Sequence, residues 1–167
     1  MSANATHDVA VIGAGPIGLA TACLLSDHGL NVVVLEQNPG LMDLPRAISV
    51  TDESLRVMDE LGLLERFEGD VLLDTGARYW GRNGQLLAET KPRPSRHGLA
   101  GKSQFDQPVM EEVLLQGAQE RNIDLRFNTE VTAFQHAPDL VTVKLHGPDG
   151  DGEIRTPWVL ACDGGKS

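Results

Sequence analysis

Asp8-Val9-Ala10-Val11-Ile12 leads straight into Gly13-Ala14-Gly15-Pro16-Ile17-Gly18. After a helical stretch a second apolar run, Asn31-Val32-Val33-Val34-Leu35, ends on Glu36. Strand, glycine turn, helix and strand in this order form a βαβ unit of the kind that binds dinucleotides. The glycines alone would be weak evidence, because the 167 residues contain 18 of them; the flanking elements make the pattern specific. The glycines differ in what they permit. Gly13 allows the tight turn out of the strand, Gly15 lets a pyrophosphate approach the backbone, and Gly18 lets helix and strand pack closely. The helix N-terminus would carry the diphosphate on its outward N–H groups, with a dipole contribution of about 0.3–1 kcal/mol, so affinity must come from many contacts.

Downstream of Gly18, the small or apolar Ala22 and Leu25 suit a helix pressed on a sheet, with Gly29 ending it. Val32 and Val34 then continue as a buried parallel strand. Glu36, at the carboxyl end of that strand, is placed to accept hydrogen bonds from ribose hydroxyls, and it would repel a 2′-phosphate. Gln37 brings no positive charge to offset that repulsion, so the residues point to FAD or NAD and away from NADP.

The length allows one domain with a real core, and 41% hydrophobic residues suit a soluble globular fold. No apolar stretch is long enough to span a membrane and the start of the chain lacks a signal-peptide layout, so a cytoplasmic protein is expected. The net charge of −10 argues against nucleic acid and anionic membranes as partners. It does not exclude an anionic cofactor, because charges beyond about 8 Å are screened at physiological salt while loop amides touch phosphate directly. Cys23 and Cys162 are expected as small buried thiols, no metal is expected, and His7, His28, His97, His136 and His146 are scattered with no catalytic pattern.

Further along, residues 39–50 are expected as a loop carrying Arg46, followed by a helix over 52–61 capped by Thr51, with Leu55, Met58 and Leu61 on one face. Two extended runs at 77–82 and 85–90 flank Asn83-Gly84, which predicts a hairpin with a type I′ turn. Pro92, Pro94, Gly98 and Gly101 mark a flexible basic loop; its Lys91, Arg93, Arg96 and Lys102 are read as solvated. A helix over 107–121 starts with Pro108 in its first turn, and a strand follows at 123–127. Runs at 131–134, 140–145 and 153–156 predict an antiparallel meander. The apolar run 158–162 predicts a strand buried on both faces of a parallel sheet. Asp163-Gly164 follows it, so the glycine loop, Glu36 and Asp163-Gly164 all fall at carboxyl ends of parallel strands and should converge on one crevice.

Four pieces thus follow one another: Gly13-x-Gly15-x-x-Gly18 with Glu36; Pro45-Arg46-Ala47 ahead of Asp52-Glu53-Ser54-Leu55-Arg56-Val57-Met58; Gln107-Pro108-x-x-Glu111; and Cys162-Asp163-Gly164-Gly165-Lys166-Ser167. In this combination the chain resembles the FAD-dependent aromatic hydroxylases, flavoprotein monooxygenases of the para-hydroxybenzoate hydroxylase type, and its second and third pieces most resemble the branch that hydroxylates phenols such as 3-(3-hydroxyphenyl)propanoate. The resemblance implies an α/β, Rossmann-like FAD-binding domain, a parallel sheet with an antiparallel β-meander crossover, formed by residues 1–70 and 104–167. It assigns residues 71–103 to the start of a β-rich substrate region. It implies FAD contacts from Gly13, Gly15, Pro16, Ile17, Gly18, Glu36, Gln37, Arg46, Gln107, Asp163 and Gly164.

The same resemblance implies NADPH or NADH as a transient co-substrate and a flavin C4a-hydroperoxide that hydroxylates a small aromatic ring; it assigns no catalytic residue. The family's later Gly-Asp motif and most of its substrate sheet are not among these residues. The chain is therefore expected to be the N-terminal part of such an enzyme, inactive alone, with the C-terminal part as its partner. A dehydrogenase, halogenase or reductase on the same fold, or a non-catalytic dinucleotide-binding module, are the competing readings.

Overall fold

A computed structural model describes residues 6–93, 95 and 97–165. Pro94 and Arg96 of the basic loop, and Lys166 and Ser167 of the terminal motif, lie outside the described residues. The elements run β1 (Val9–Ile12), α1 (Pro16–Asp27), β2 (Val32–Leu35), β3 (Ser49–Thr51), α2 (Asp52–Glu60), α3 (Leu64–Glu68), β4 (Val71–Leu72), β5 (Ala77–Trp80) and β6 (Leu86–Thr90). They continue with β7 (Lys102–Phe105), α4 (Gln107–Glu120), β8 (Asp124–Arg126), β9 (Glu130–Ala137), β10 (Leu140–Gly147), β11 (Gly150–Thr156) and β12 (Trp158–Ala161). The chain divides into two compact units, residues 1–42 with 111–167, and residues 43–110.

The first unit is built on a four-stranded parallel sheet in the order β12-β1-β2-β8. The apolar runs that announced β1 and β2 occupy its centre, where every residue of both strands is buried. Side chains alternate across a strand, so each run has to satisfy two covers. On one face Ala10, Ile12, Val33 and Leu35 pack with Val143 and Ile154 of the meander β11-β10-β9. On the other, α1 packs on β1 and β2 through the buried Leu19, Ala22 and Cys23. The meander forms where the sequence places it, with longer strands than expected: the 147–152 connection closes as a tight turn in which Gly147 pairs with Gly150, and Asp151 and Gly152 belong to β11.

The strand expected to be buried on both faces is not. Trp158 is 69% exposed and Leu160 36%, whereas Val159 packs against the core cluster. β12 is an edge strand of the sheet, so its alternation puts one face on the core and leaves the other uncovered by the described residues.

At the ends of α1 and α4, Arg121 donates from Nε to Asp27 Oδ1 (2.7 Å) and from its terminal nitrogen to Asp27 Oδ2 (2.8 Å). This fork holds the Asp27 carboxyl below its ordinary pKa. A lowered folded-state pKa stabilises the fold above the unfolded value, and that contribution is lost as the pH falls through the folded value. Asp27→Asn is therefore expected to lower unfolding free energy at pH 7 by about 0.5–1 kcal/mol, the upper range for exposed pairs, and by nothing below the folded pKa. Urea midpoints at neutral and strongly acidic pH check this; an equal deficit at both would refute it.

The second unit carries an antiparallel sheet in the order β3-β7-β4 and the β5-β6 hairpin. Val50, Leu55, Met58, Leu61, Leu63 and Phe67 are its buried apolar residues, and Phe67 meets Phe105 edge to face at 6.0 Å. Four expectations change here. The end of the 39–50 loop is β3, which gains its ladder from β7. Lys102, assigned to the basic loop, is part of β7, and Ser95 and His97 of that loop bond to the start of α2, Ser95 to Asp52 (2.6 Å) and His97 to Glu53 (3.3 Å). Thr51 does occupy the N-cap of α2, but its side chain makes no cap hydrogen bond.

The hairpin turn also differs. Gly84 has φ +75°, Asn83 is not among the positive-φ residues, and Gly84 N–H donates to Gly81 O while Gly81 N–H donates to Gln85 O. That is a type I turn followed by a left-handed glycine bulge, in which only one residue needs positive φ, instead of the two a type I′ turn requires. α3 has no counterpart among the expected elements.

Candidate functional site

In the first unit, β1 ends in the glycine loop and each glycine meets different surroundings. Gly13 has φ +101°, and a Cβ there would lie 2.7 Å from Cys162 O. Only glycine fits, both by conformation and by space. A Cβ on Gly18 would lie 1.9 Å from Gly13 O, so the helix start is seated directly on the turn it leaves. Gly15, the N-cap of α1, is different: its φ is −74°, and a Cβ would meet nothing within 4 Å. Nothing in the protein itself demands glycine at that position.

The loop's backbone donors are unevenly committed. Gly13 N–H donates to Leu35 O (2.7 Å), Ala14 N–H to Glu36 Oε2 (2.9 Å), and Pro16 has none to give. Leu19 N–H closes the first helical bond on Gly15 O (2.9 Å). That leaves Ile17 and Gly18 in the first turn without a carbonyl four residues back in the helix, the arrangement that suits an anion. Ile17 itself is 68% exposed.

Glu36 follows β2 and is drawn toward the loop by the bond from Ala14. Its other oxygen, Oε1, accepts from Asn38 N–H (2.9 Å) and Asn38 Nδ2 (2.6 Å). Asn38 was not among the sequence-derived candidates, and no pattern announces it; the contact depends on how the chain turns after Glu36. Gln37 is exposed between them.

Cys162 N–H donates to Ile12 O (2.8 Å) at the end of β12, placing Asp163 beside Gly13, with the Asp163 Cα 3.1 Å from a Cβ position at Gly13. Gly164 follows with φ +91°. The glycine loop, Glu36 and Asp163-Gly164 are thus brought together at the carboxyl ends of three adjacent parallel strands.

In the second unit, Gln107 at the start of α4 is buried and its Oε1 accepts from the backbone N–H of Arg46 (2.9 Å) and of Ala47 (2.7 Å). The two sequence-derived candidates of this unit therefore meet, through the Arg46 backbone. Glu111, one turn further along α4 and already in the first unit, is 1% exposed.

Burial pushes the Cys23 thiol up to about 11, against the opposing charge of Arg121. Cys162, only half-buried where full burial was expected, is also raised, by burial and then by the neighbouring Asp163 charge. Neither thiol has the lowered pKa of a nucleophile. Three histidines approach carboxylates: His7 to Asp124 (3.1 Å), His97 to Glu53 and His146 to Asp151 (2.6 Å). Among the described residues no group of His, Cys, Asp and Glu is arranged to hold a metal ion, and no helix is long and apolar enough to cross a membrane.

A family model described as an FAD binding domain matches residues 6–167. Among curated relatives, a 3-(3-hydroxy-phenyl)propionate/3-hydroxycinnamic acid hydroxylase of Klebsiella pneumoniae subsp. pneumoniae is 39% identical over 168 aligned residues, covering 97% of this chain and 30% of the relative. The protein of the same name from Mycolicibacterium smegmatis is 32% identical, covering 100% of this chain and again 30% of its own length. Among solved structures, p-nitrophenol 4-monooxygenase from Pseudomonas putida DLL-E4 superposes with a TM-score of 0.85 at 29% identity, over 96% of this chain and 41% of that one. Aklavinone-11 hydroxylase, solved with FAD and aklavinone, gives 0.80 at 27% identity, over 96% and 33%. The chain spans about 30% of the length of these curated relatives.

Proposed function

The chain belongs to the FAD binding domain family, and from that premise we propose that it serves as the FAD-binding part of a flavoprotein monooxygenase that hydroxylates a phenolic ring with NAD(P)H and O2. The observation that carries the binding site is Gly15: the fold has no use for a glycine there, whereas a diphosphate lying on the backbone does. Ile17 and Gly18 would donate their N–H groups to the diphosphate, beside Pro16, which fixes the first helical residue without needing a partner. Glu36, with Gln37 next to it, would receive the adenosine ribose. Asp163-Gly164 would border the diphosphate, and Arg46, its loop held by Gln107, would supply positive charge to the cofactor.

FAD supplies the redox chemistry when bound, and the contribution of these residues is to fix it in place. Residues 71–103, with the exposed Tyr79, Trp80, Leu86 and Leu87 of the hairpin, would form the beginning of the substrate region. Such an activity belongs in the cytoplasm, where reduced nicotinamide dinucleotides are available, and its substrate would be a small aromatic molecule.

A protein carrying these residues together with the remaining length found in the relatives is expected to consume NAD(P)H in the presence of a phenol and to place one atom of labelled O2 in the product, detected by mass spectrometry. Reduction of the flavin by substrate without oxygen incorporation would support a dehydrogenase instead, and halide-dependent product a halogenase. Tight FAD binding with no turnover across a panel of phenols would support a non-catalytic module. Within the site, Glu36→Gln is expected to raise the FAD dissociation constant about tenfold or more, since hydrogen bonds to a charged group contribute about 1.5–3 kcal/mol. Unchanged affinity in a flavin titration would remove Glu36 from the ribose site.

A further inference from the structure

A carboxylate has about four acceptor positions, and Glu36 has already committed three. Both on Oε1 are taken by Asn38, through its backbone N–H (2.9 Å) and its side-chain Nδ2 (2.6 Å), and one on Oε2 is taken by Ala14 N–H (2.9 Å). The backbone that carries this arrangement is itself held. Glu36 N–H donates to Arg126 O (2.9 Å), Thr129 N–H donates to Glu36 O (2.8 Å), and Asn128 N–H donates to Asn38 O (3.0 Å). Asn128 takes the left-handed conformation, φ +51°, in making that last bond.

We infer that Asn38 is a positioning and specificity-determining residue: it locks the Glu36 carboxylate by its outer oxygen, so that a single acceptor position on Oε2 is left for one ribose hydroxyl of a bound adenosine diphosphate group. A free carboxylate would clasp both hydroxyls of the diol with its two oxygens. The locked one reads one of them, and its orientation is set before the ligand arrives, which lowers the ordering cost of binding. The inference rests on the proposed ribose role of Glu36.

The test uses the full chain and three probes, ADP, 2′-deoxy-ADP and 3′-deoxy-ADP, titrated by calorimetry. The parent protein is expected to bind one deoxy analogue about tenfold more weakly than ADP and the other as well as ADP. Asn38→Asp, which removes the Nδ2 donor and sets a second negative charge against Glu36, is expected to weaken ADP about tenfold. It should leave the analogue lacking the recognised hydroxyl unchanged, and it should add nothing to Glu36→Gln in the double variant. Asn38→Ser, which keeps a short donor, is expected to restore most of the affinity. If the Asp variant melts at a lower temperature, Asn38→Ala is compared with Asn38→Ser in its place.

Equal losses on all three probes, additivity with Glu36→Gln, or parent discrimination against both analogues would overturn the inference while leaving Glu36 in the ribose site. If Glu36→Gln binds ADP as the parent does, the ribose assignment itself fails, and this inference with it.

Discussion

Gly18→Ala is expected to lower the unfolding free energy by about 3 kcal/mol or more, a large share of the 5–15 kcal/mol that holds a typical domain. Alanine is the better helix former by up to about 1 kcal/mol, so propensity alone predicts a gain. Space decides the sign. The new methyl would stand 1.9 Å from Gly13 O and 3.0 Å from Gly13 C, both backbone atoms, and 3.4 Å from Cys162 Cβ. No side-chain rotation relieves a clash with backbone. Nor can Gly13 retreat, because its N–H is bound to Leu35 O at 2.7 Å and its Cα faces Cys162 O on the adjacent strand. Relief requires α1 to lift from the sheet, which uncovers Leu19, Ala22 and Cys23. Gly40→Ala is the matched control: its Cβ would meet nothing within 4 Å, and its φ is not in the left-handed region, so a change within about 0.5 kcal/mol is expected. Equal urea midpoints for Gly18→Ala and the parent would show that the turn and the helix are not packed as described.

Legibility in the sequence followed the range of the interactions involved. β1, α1 and β2 were readable because their apolar spacing and glycine positions are local, and the packing of a central strand demands the runs Val9–Ile12 and Val32–Leu35 in any case. The meander was readable for the same reason, its alternation being imposed by one face on Val143 and Ile154. β3 is three residues long and exists through pairing with β7, some fifty residues away, so no period marks it. β12 carries an apolar composition that signals burial, but whether a strand is central or at an edge depends on its neighbours. The hairpin was visible in Asn83-Gly84, whereas its turn type hinged on a single residue of the loop between Gly81 and Gln85. In the candidate site, Gly13 and Gly18 meet fixed geometric demands that residue type reveals. Asn38 acts through a side-chain orientation that no spacing encodes, and Gln107 acts on the backbone of Arg46 and Ala47 across a long loop.

Gly15→Ala should produce the opposite outcome to Gly18→Ala, with the fold kept and the cofactor lost. The backbone at Gly15, φ −74° and ψ −179°, is open to any residue, and the added methyl meets no protein atom within 4 Å. The protein's own cost is then that of alanine replacing glycine at an N-cap, a few tenths to about 1 kcal/mol. The ligand's cost is larger. In the proposed site a diphosphate reaching the N–H groups of Ile17 and Gly18 would lie over the N-cap residue, and a methyl there would push it away from those donors and lengthen their hydrogen bonds. A charge-assisted bond to an anion contributes about 1.5–3 kcal/mol, so losing even one raises the FAD dissociation constant roughly tenfold to more than a hundredfold. Gly15→Val, with two more methyl groups in the same space, should bind no measurable FAD. Thermal melts of the apoproteins and flavin titrations read the two effects separately. These expected outcomes would divide the motif by cause, assigning Gly18 to packing and Gly15 to the cofactor. Full FAD affinity in Gly15→Ala would mean that the diphosphate does not lie on this loop.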